Sequence, residues 1–292
     1  MPHGELRTCQ RPMATGECGK SEQMLLEDAR NGSLERHDLI DAALIAGGHL
    51  EPARRGELAA QVEAWIEELQ AEKLPSEEIP RAKIVFTRLH TDLLTGKYDA
   101  RCSDLAAAVE TGDYNCVSAT VLYVIALREL GIPAAPYSRV GHVYCRIGTE
   151  NIDVETTCDR WFELSGSEAE RARNRVVQAL QASDAASRKL SDAELVAKIY
   201  YNRGVACFRR EQYSQGLDLT RRSLEFDPHD DVARGNVLAG LNNWSLSLCR
   251  EKQFEEAAAL LDEIETLDPN YSTLDSNRAH LYRLWGKQRQ AQ

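Results

Sequence analysis

An α+β fold is what this sequence predicts: a helical N-terminal region, a core in which one long central helix packs on a small antiparallel sheet, and an all-α C-terminal segment. Three observations lead there. Residues 115–131 form a stretch that is apolar on nearly every side and is bounded by an asparagine and a glycine. Two segments of alternating polarity, His142–Ile147 and Asn151–Thr156, follow it across Gly148-Thr-Glu. Beyond residue 195 the chain repeats itself in units of 34 residues, Ala197–Asp230 and Leu238–Tyr271.

The chain of 292 residues is long enough for two ordinary domains, and 43% hydrophobic with 28% charged residues is globular rather than disordered composition. A formal net charge of -11 weighs against nucleic acid or an acidic membrane as partner, since both need a positive patch. No run approaches the roughly eighteen apolar residues of a membrane span. The first ten residues lack the apolar segment of a signal peptide, so a cytoplasmic location is expected. Eight scattered cysteines do not suggest a disulfide framework. His3, Cys9 and Cys18 match none of the paired spacings of zinc sites, and neither a metal nor a cofactor is expected.

Taken in order, residues 1–20 carry no hydrophobic period and read as a tail. Residues 21–165 form one domain with a helical N-terminal part. Ser21–Arg30 has a plausible cap, Asp38–Ala46 is stopped by Gly47-Gly48, and Pro52–Leu69 carries Leu58, Val62, Trp65, Ile66 and Leu69 on one helical stripe. A further helix is expected over Ile84–Leu94, ending at Thr95-Gly96, and a short one over Ser103–Gly112. His90 reads as a packing or surface residue. The central helix opens with Asn115 as N-cap and Cys116 in its first turn, and stops at Gly131 before Pro133. Its length of about fifteen residues separates it from a buried strand. Pro133 and Pro136 bracket an extended piece running to Val140. In the hairpin, His142, Tyr144 and Arg146 share one face, and Asp153 and Glu155 share one face of the second strand. His142 lies opposite Asp153 only if the loop is about Arg146–Thr149; another register sets Asp153 against Arg146. A charged helix over Ser165–Ala182 and a linker over Ser183–Leu190 fill the connection at 166–195.

The order of chemistry-bearing residues is then Cys116 at a helix N-terminus, His142 opening a strand and Asp153 on the next strand. A free thiol titrates near pH 8.5, and a helix N-terminus with an adjacent imidazolium can lower it to roughly 3–4 in papain-type sites. Such a thiolate attacks an amide carbonyl, the imidazolium protonates the leaving amine, and the thioester passes to water or an amine. The Cys116 backbone N–H is the obvious oxyanion donor, with Tyr114 and Asn115 as weaker candidates for a second. Cys102, Cys145 and Cys158 read as structural. On Tyr114-Asn-Cys-Val-Ser, Gly141-His-Val-Tyr and Ile152-Asp-Val-Glu-Thr-Thr157, residues 85–160 resemble the transglutaminase-like group of the papain-type superfamily. The resemblance implies Cys116 as nucleophile, His142 as base and acid, and Asp153 as the residue that orients the imidazole.

In residues 196–292, Tyr200, Gly204, Tyr213, Gly216 and Pro228 mark one unit and Leu241, Leu248, Phe254, Ala257 and Pro269 the next, in which Ser245 departs from the usual glycine. Asn202, Asn243 and Asn277 recur in three successive first helices, the third running from Thr273 to Trp285. This resembles the tetratricopeptide repeat, here two units and a capping helix. The resemblance implies a protein or peptide partner on a concave face, with Tyr201, Val205, Phe208, Leu246 and Arg250 as groove candidates. Two function classes follow. One is a cysteine acyl-transfer enzyme or amide hydrolase acting on protein or peptide amides, with the repeats as a binding module. The other is a non-catalytic adaptor that keeps the same scaffold.

Overall fold

The computed structural model describes residues 19–164 and 187–290; the helix expected over Ser165–Ala182 and the expected tail up to residue 18 lie outside them. The fold is α+β, with a four-stranded antiparallel sheet and a helical C-terminal region. Two compact units are present. Among the described residues, one takes in 19–202 together with Glu225–Pro228, the other Arg203–Leu224 with 229–290.

In the first unit, α1 (Lys20–Asp28), α2 (Leu39–Gly47), α3 (Pro52–Ala71), α4 (Glu78–Arg88) and α5 (Leu105–Glu110) precede the central helix. Lys20, assigned to the tail above, already begins α1. The buried residues of α3 are Leu58, Val62, Trp65, Ile66 and Leu69, the stripe set by helical spacing. The helix expected to run on to Leu94 instead passes into a π-helical turn, Leu89–Leu93, where Asp92 accepts from Trp65 Nε1 at 3.1 Å and Arg88 Nε at 2.6 Å.

The central helix is α6 (Cys116–Glu129), buried continuously from Cys116 to Leu127. A helix apolar on all sides must be covered on all sides, and the sheet supplies part of that cover through β1 (Ala134–Arg139) and β2 (His142–Ile147). Its start is set by a capping box: Asn115 Oδ1 accepts Val117 N at 2.8 Å and Ser118 N at 3.2 Å, while Ser118 Oγ accepts Asn115 N at 3.0 Å. The approach to this cap is tight. Gly112 has φ 76°, and a Cβ there would lie 2.6 Å from Gly96 N, so only glycine lets the two loops meet. Beside that contact Lys97 N donates to Asp113 Oδ1 at 2.7 Å, and Tyr98 forms an isolated parallel bridge with Tyr114.

The sheet order is β3-β2-β1-β4, with β3 at Ile152–Val154 and β4 at Arg188–Lys189. Residues 188 and 189, read as linker from sequence, therefore extend the sheet beyond β1. A polar pair of residues gives no hydrophobic period; what places it is Arg188, which donates to Asp227 Oδ2 at 2.5 Å. Asp227 is fully buried and also accepts from Lys198 at 3.2 Å. In the β2–β3 hairpin Cys145 pairs with Val154, Arg146 with Asp153 and Ile147 with Ile152, so the loop is Gly148–Asn151. A short helix, α7 (Trp161–Leu164), follows, and Trp161 Nε1 donates to the Asp153 carbonyl at 3.0 Å.

The C-terminal helices are α8 (Asp192–Arg209), α9 (Tyr213–Phe226), α10 (Asp231–Arg250), α11 (Phe254–Leu267) and α12 (Leu274–Gln290). Leu217, Val237, Leu241, Phe254, Leu261, Ile264 and Leu281 form the core of this region. Phe208, proposed above as a groove residue, is half-buried and packs against that core: a Cβ at Gly216 would lie 2.5 Å from its ring, and one at Gly240 2.6 Å from it. Tyr201, Val205 and Leu246 are half-buried and Arg250 is exposed. Of the recurring asparagines, Asn277 meets the neighbour of Asn243. Asn243 is exposed, whereas Asn242 is buried and accepts from Asn277 Nδ2 at 2.6 Å.

Two substitutions test these contacts. Asn115→Ala removes the cap from a buried helix start and is expected to cost about 1–2 kcal/mol, read as a lower urea midpoint with unchanged slope. Gly216→Ala drives a methyl into the Phe208 ring and is expected to cost about 1–3 kcal/mol. A Gly216→Ala variant as stable as the wild type would return Phe208 to the surface.

Candidate active site

Cys116 is the first residue of α6, where the backbone N–H groups point outward with the positive end of the helix dipole. The Asn115 cap takes the N–H groups of Val117 and Ser118, and among the described residues nothing accepts the Cys116 N–H. Cys116 as a residue is 9% exposed, while Val121, Leu122 and Tyr123 further along the helix are sealed.

The His142 side chain, 21% exposed, stands close enough to this sulfur for Cys116 to favour its charged form. Its Nε2 lies 2.5 Å from Glu155 Oε2, which leaves Nδ1 as the ring nitrogen for the thiol. Burial works against the imidazolium, yet the contacts with Cys116 and Glu155 prevail and raise His142 to about 9. Burial would raise the Glu155 carboxyl; His142 and Thr157 hold it below its ordinary range. Thr157 donates its backbone N–H at 3.2 Å and its hydroxyl at 2.6 Å to Glu155 Oε1. Arg139 adds a longer contact from Nη2 to Glu155 Oε2, at 3.4 Å.

Asp153 is not the carboxylate at the imidazole. Arg146 faces it across the hairpin and grips it with Nε at 2.5 Å and Nη2 at 3.0 Å. The loop at Gly148–Asn151 sets this register, and the carboxylate two residues on, already on the same face by alternation, becomes the partner of His142. Glu155 is also held to the cysteine helix from behind. Thr120, one turn below Cys116, and Thr156 share a hydrogen bond of 2.8 Å, both fully buried. On the other side His90 Nε2 donates to the Thr156 carbonyl at 3.1 Å. Burial lowers the His90 pKa and so favours the neutral ring, which fits a packing residue. Nothing in the residue types marked Thr120 or Thr156 in advance; their importance arises only from the approach of the two segments.

Of the two candidates for a second oxyanion donor, Asn115 is already committed to other partners. Asn115 is 1% exposed and fully engaged, its Nδ2 donating to the Ala100 carbonyl at 3.1 Å. The Tyr114 ring packs edge-on against His90 at 5.9 Å and Tyr98 at 6.0 Å, and its phenol, raised by burial, feels Asp159 and Cys158. The other described cysteines are all pushed up by burial, Cys102 to about 11. Among the described residues no three His, Cys, Asp or Glu side chains are grouped to hold a metal, and no helix is long and apolar enough to cross a membrane. Compared with protein-family models, curated proteins and solved structures, the chain matches none.

Because the folded value of His142 lies above 6.5, the stability this contact contributes is complete below about pH 6.5 and is lost as pH rises through about 9. The expected imidazole midpoint, followed by NMR of its carbon-bound protons, is near 9 in the wild type. In Glu155→Gln it falls, because burial remains while the charge partner is gone. In Asp153→Asn it stays. A fall in the Asp153 variant alone would restore the carboxylate assignment made from sequence.

Proposed function

We propose that the chain is a cysteine-nucleophile acyl-transfer enzyme or amide hydrolase acting on protein or peptide amides. The observation that carries this reading is the His142 ring held by the buried Glu155 and coupled to Cys116 at the head of α6. A thiol, an imidazole that can take and return its proton, and a carboxylate fixing the ring are the parts of a nucleophile–base–orienter set. The Cys116 N–H at the open end of α6 adds one donor for the oxygen of a tetrahedral intermediate. This arrangement supports the transglutaminase-like reading of residues 85–160, with Glu155 in the orienting place in which the resemblance had put Asp153.

In this mechanism the thiolate adds to the amide carbonyl and His142 protonates the departing amine. The thioester is then resolved by water or by a second amine, His142 removing the proton of whichever attacks. The ring keeps its orientation throughout because Nε2 stays with Glu155, which Thr157 and the Thr120–Thr156 contact hold in place. The paired helices of residues 196–292 support a tetratricopeptide-like module that binds a protein partner. With Phe208 assigned to packing, Tyr201, Val205, Leu246 and Arg250 remain as groove residues.

Selective alkylation tests the reading. At pH about 6, iodoacetamide followed by peptide mapping is expected to label Cys116 first, since burial suppresses ionisation of the other described thiols. His142→Ala should abolish that preference and Glu155→Gln should weaken it. Uniform labelling of all accessible cysteines, or a function retained in Cys116→Ala, would instead favour an adaptor.

A further inference from the structure

The proposed reaction takes His142 through a charged and a neutral state, while the carboxylate behind it stays buried in both. We infer that Arg139 is a positioning residue for the neutral state: set against the same oxygen of Glu155 as the imidazole, its guanidinium keeps Glu155 an anion when the ring has given up its charge. Nε2–H then goes on donating to Glu155, and Nδ1 is left open to take a proton. This deepens the acyl-transfer reading of the site and rests on it.

Arg139 ends β1 directly across from His142, which opens β2, so one tight hairpin turn brings both side chains to the same face of the sheet. Both reach one atom: His142 Nε2 lies 2.5 Å and Arg139 Nη2 3.4 Å from Glu155 Oε2. The Arg139 side chain is 11% exposed, and its guanidinium carbon lies 4.9 Å from the centre of the Tyr144 ring, which gives the cation a platform. Thr157 adds hydrogen bonds to the carboxylate but no charge. Cys116 from α6, Tyr98 from the loop before it and Cys158 from the segment after β3 also act on this pair, and each is neutral or anionic. A guanidinium keeps its charge at every working pH, whereas that of the imidazolium comes and goes with the reaction. Without Arg139 the pair would hold on to one more proton, since a carboxylate 6% exposed is costly beside a neutral ring. That proton sits either on an imidazolium facing the carboxylate or on a ring with Nδ1–H facing a carboxylic acid. In both forms Nδ1 is occupied and cannot accept a proton from an attacking water.

The Cys116 acetyl thioester isolates this role, because it takes the thiolate away from the ring. p-Nitrophenyl acetate forms it: the sulfur bonds to the carbonyl carbon and p-nitrophenolate leaves. In its hydrolysis a water oxygen bonds to that carbon while the water proton passes to Nδ1. The C–S bond then breaks with its electron pair going to sulfur, and acetic acid departs. Site-resolved mass spectrometry follows loss of the acetyl group against pH, and the rate rises with the fraction of neutral His142. Arg139→Gln is expected to move the midpoint of that rise up by about one pH unit, so that hydrolysis well below the midpoint is about tenfold slower. The His142 midpoint of the unreacted protein, read by NMR, moves the same way. Arg139→Lys keeps a cation and should hold both midpoints near the wild-type values. A mere brace predicts the reverse, since a loosened Glu155 lets both midpoints fall. Midpoints that fall or stay in Arg139→Gln, an Arg139→Lys variant that behaves as Arg139→Gln does, or an Arg139→Gln chain that no longer folds would overturn the inference and leave the proposed function standing. A wild-type Cys116 acetylated no faster than the other cysteines would overturn both.

Discussion

A carboxylate that is 6% exposed has to be satisfied by charge and hydrogen bonds, and Glu155 imposes that requirement on everything around it. His142 meets one oxygen, Thr157 the other, and Arg139 stands behind. An imidazole locked in this way cannot rotate freely, so its second nitrogen is presented to the sulfur at the head of α6. Removing the carboxylate would leave a buried ring with nothing to hold it charged. Removing the ring would leave the buried charge to the Thr157 hydrogen bonds and the longer Arg139 contact.

That arrangement stands on contacts with no chemistry of their own. The Asn115–Ser118 capping box decides where α6 begins, and hence which N–H groups are taken and which one stays open beside Cys116. Thr120 and Thr156 join the cysteine helix to the segment bearing Glu155, so the two halves of the site move together. The Gly96–Gly112 contact draws the Tyr98 loop against the same cap. Each is short-ranged, and each converts a requirement of backbone or packing into the placement of a reactive side chain.

The C-terminal helices show a related economy. Glycines at 216 and 240 open the space that the Phe208 ring fills, and Asn242 and Asn277 meet in the interior through their amides. Alignment of recurrent asparagines pointed at Asn243 because it follows letters one by one. Packing chose its neighbour Asn242, since one residue along a helix is a rotation of about 100° and exchanges an exposed position for a buried one.

What the sequence determined by itself was whatever short-range physics controls. It set the start of α6 at an asparagine cap, its apolar faces, the buried stripe of α3, the alternation of the strands, the helical C-terminal region, and Cys116 and His142 as the pair to examine. The tertiary structure decided the rest. Which carboxylate meets the imidazole depends on hairpin register, and a register that faces Arg146 with Asp153 brings Glu155 to the ring. Whether Phe208 lines a groove or fills a gap depends on how closely two helices approach. Such distances are absent from local propensity, because they are fixed only when separated segments bury one another's surfaces and must satisfy each other's polar groups.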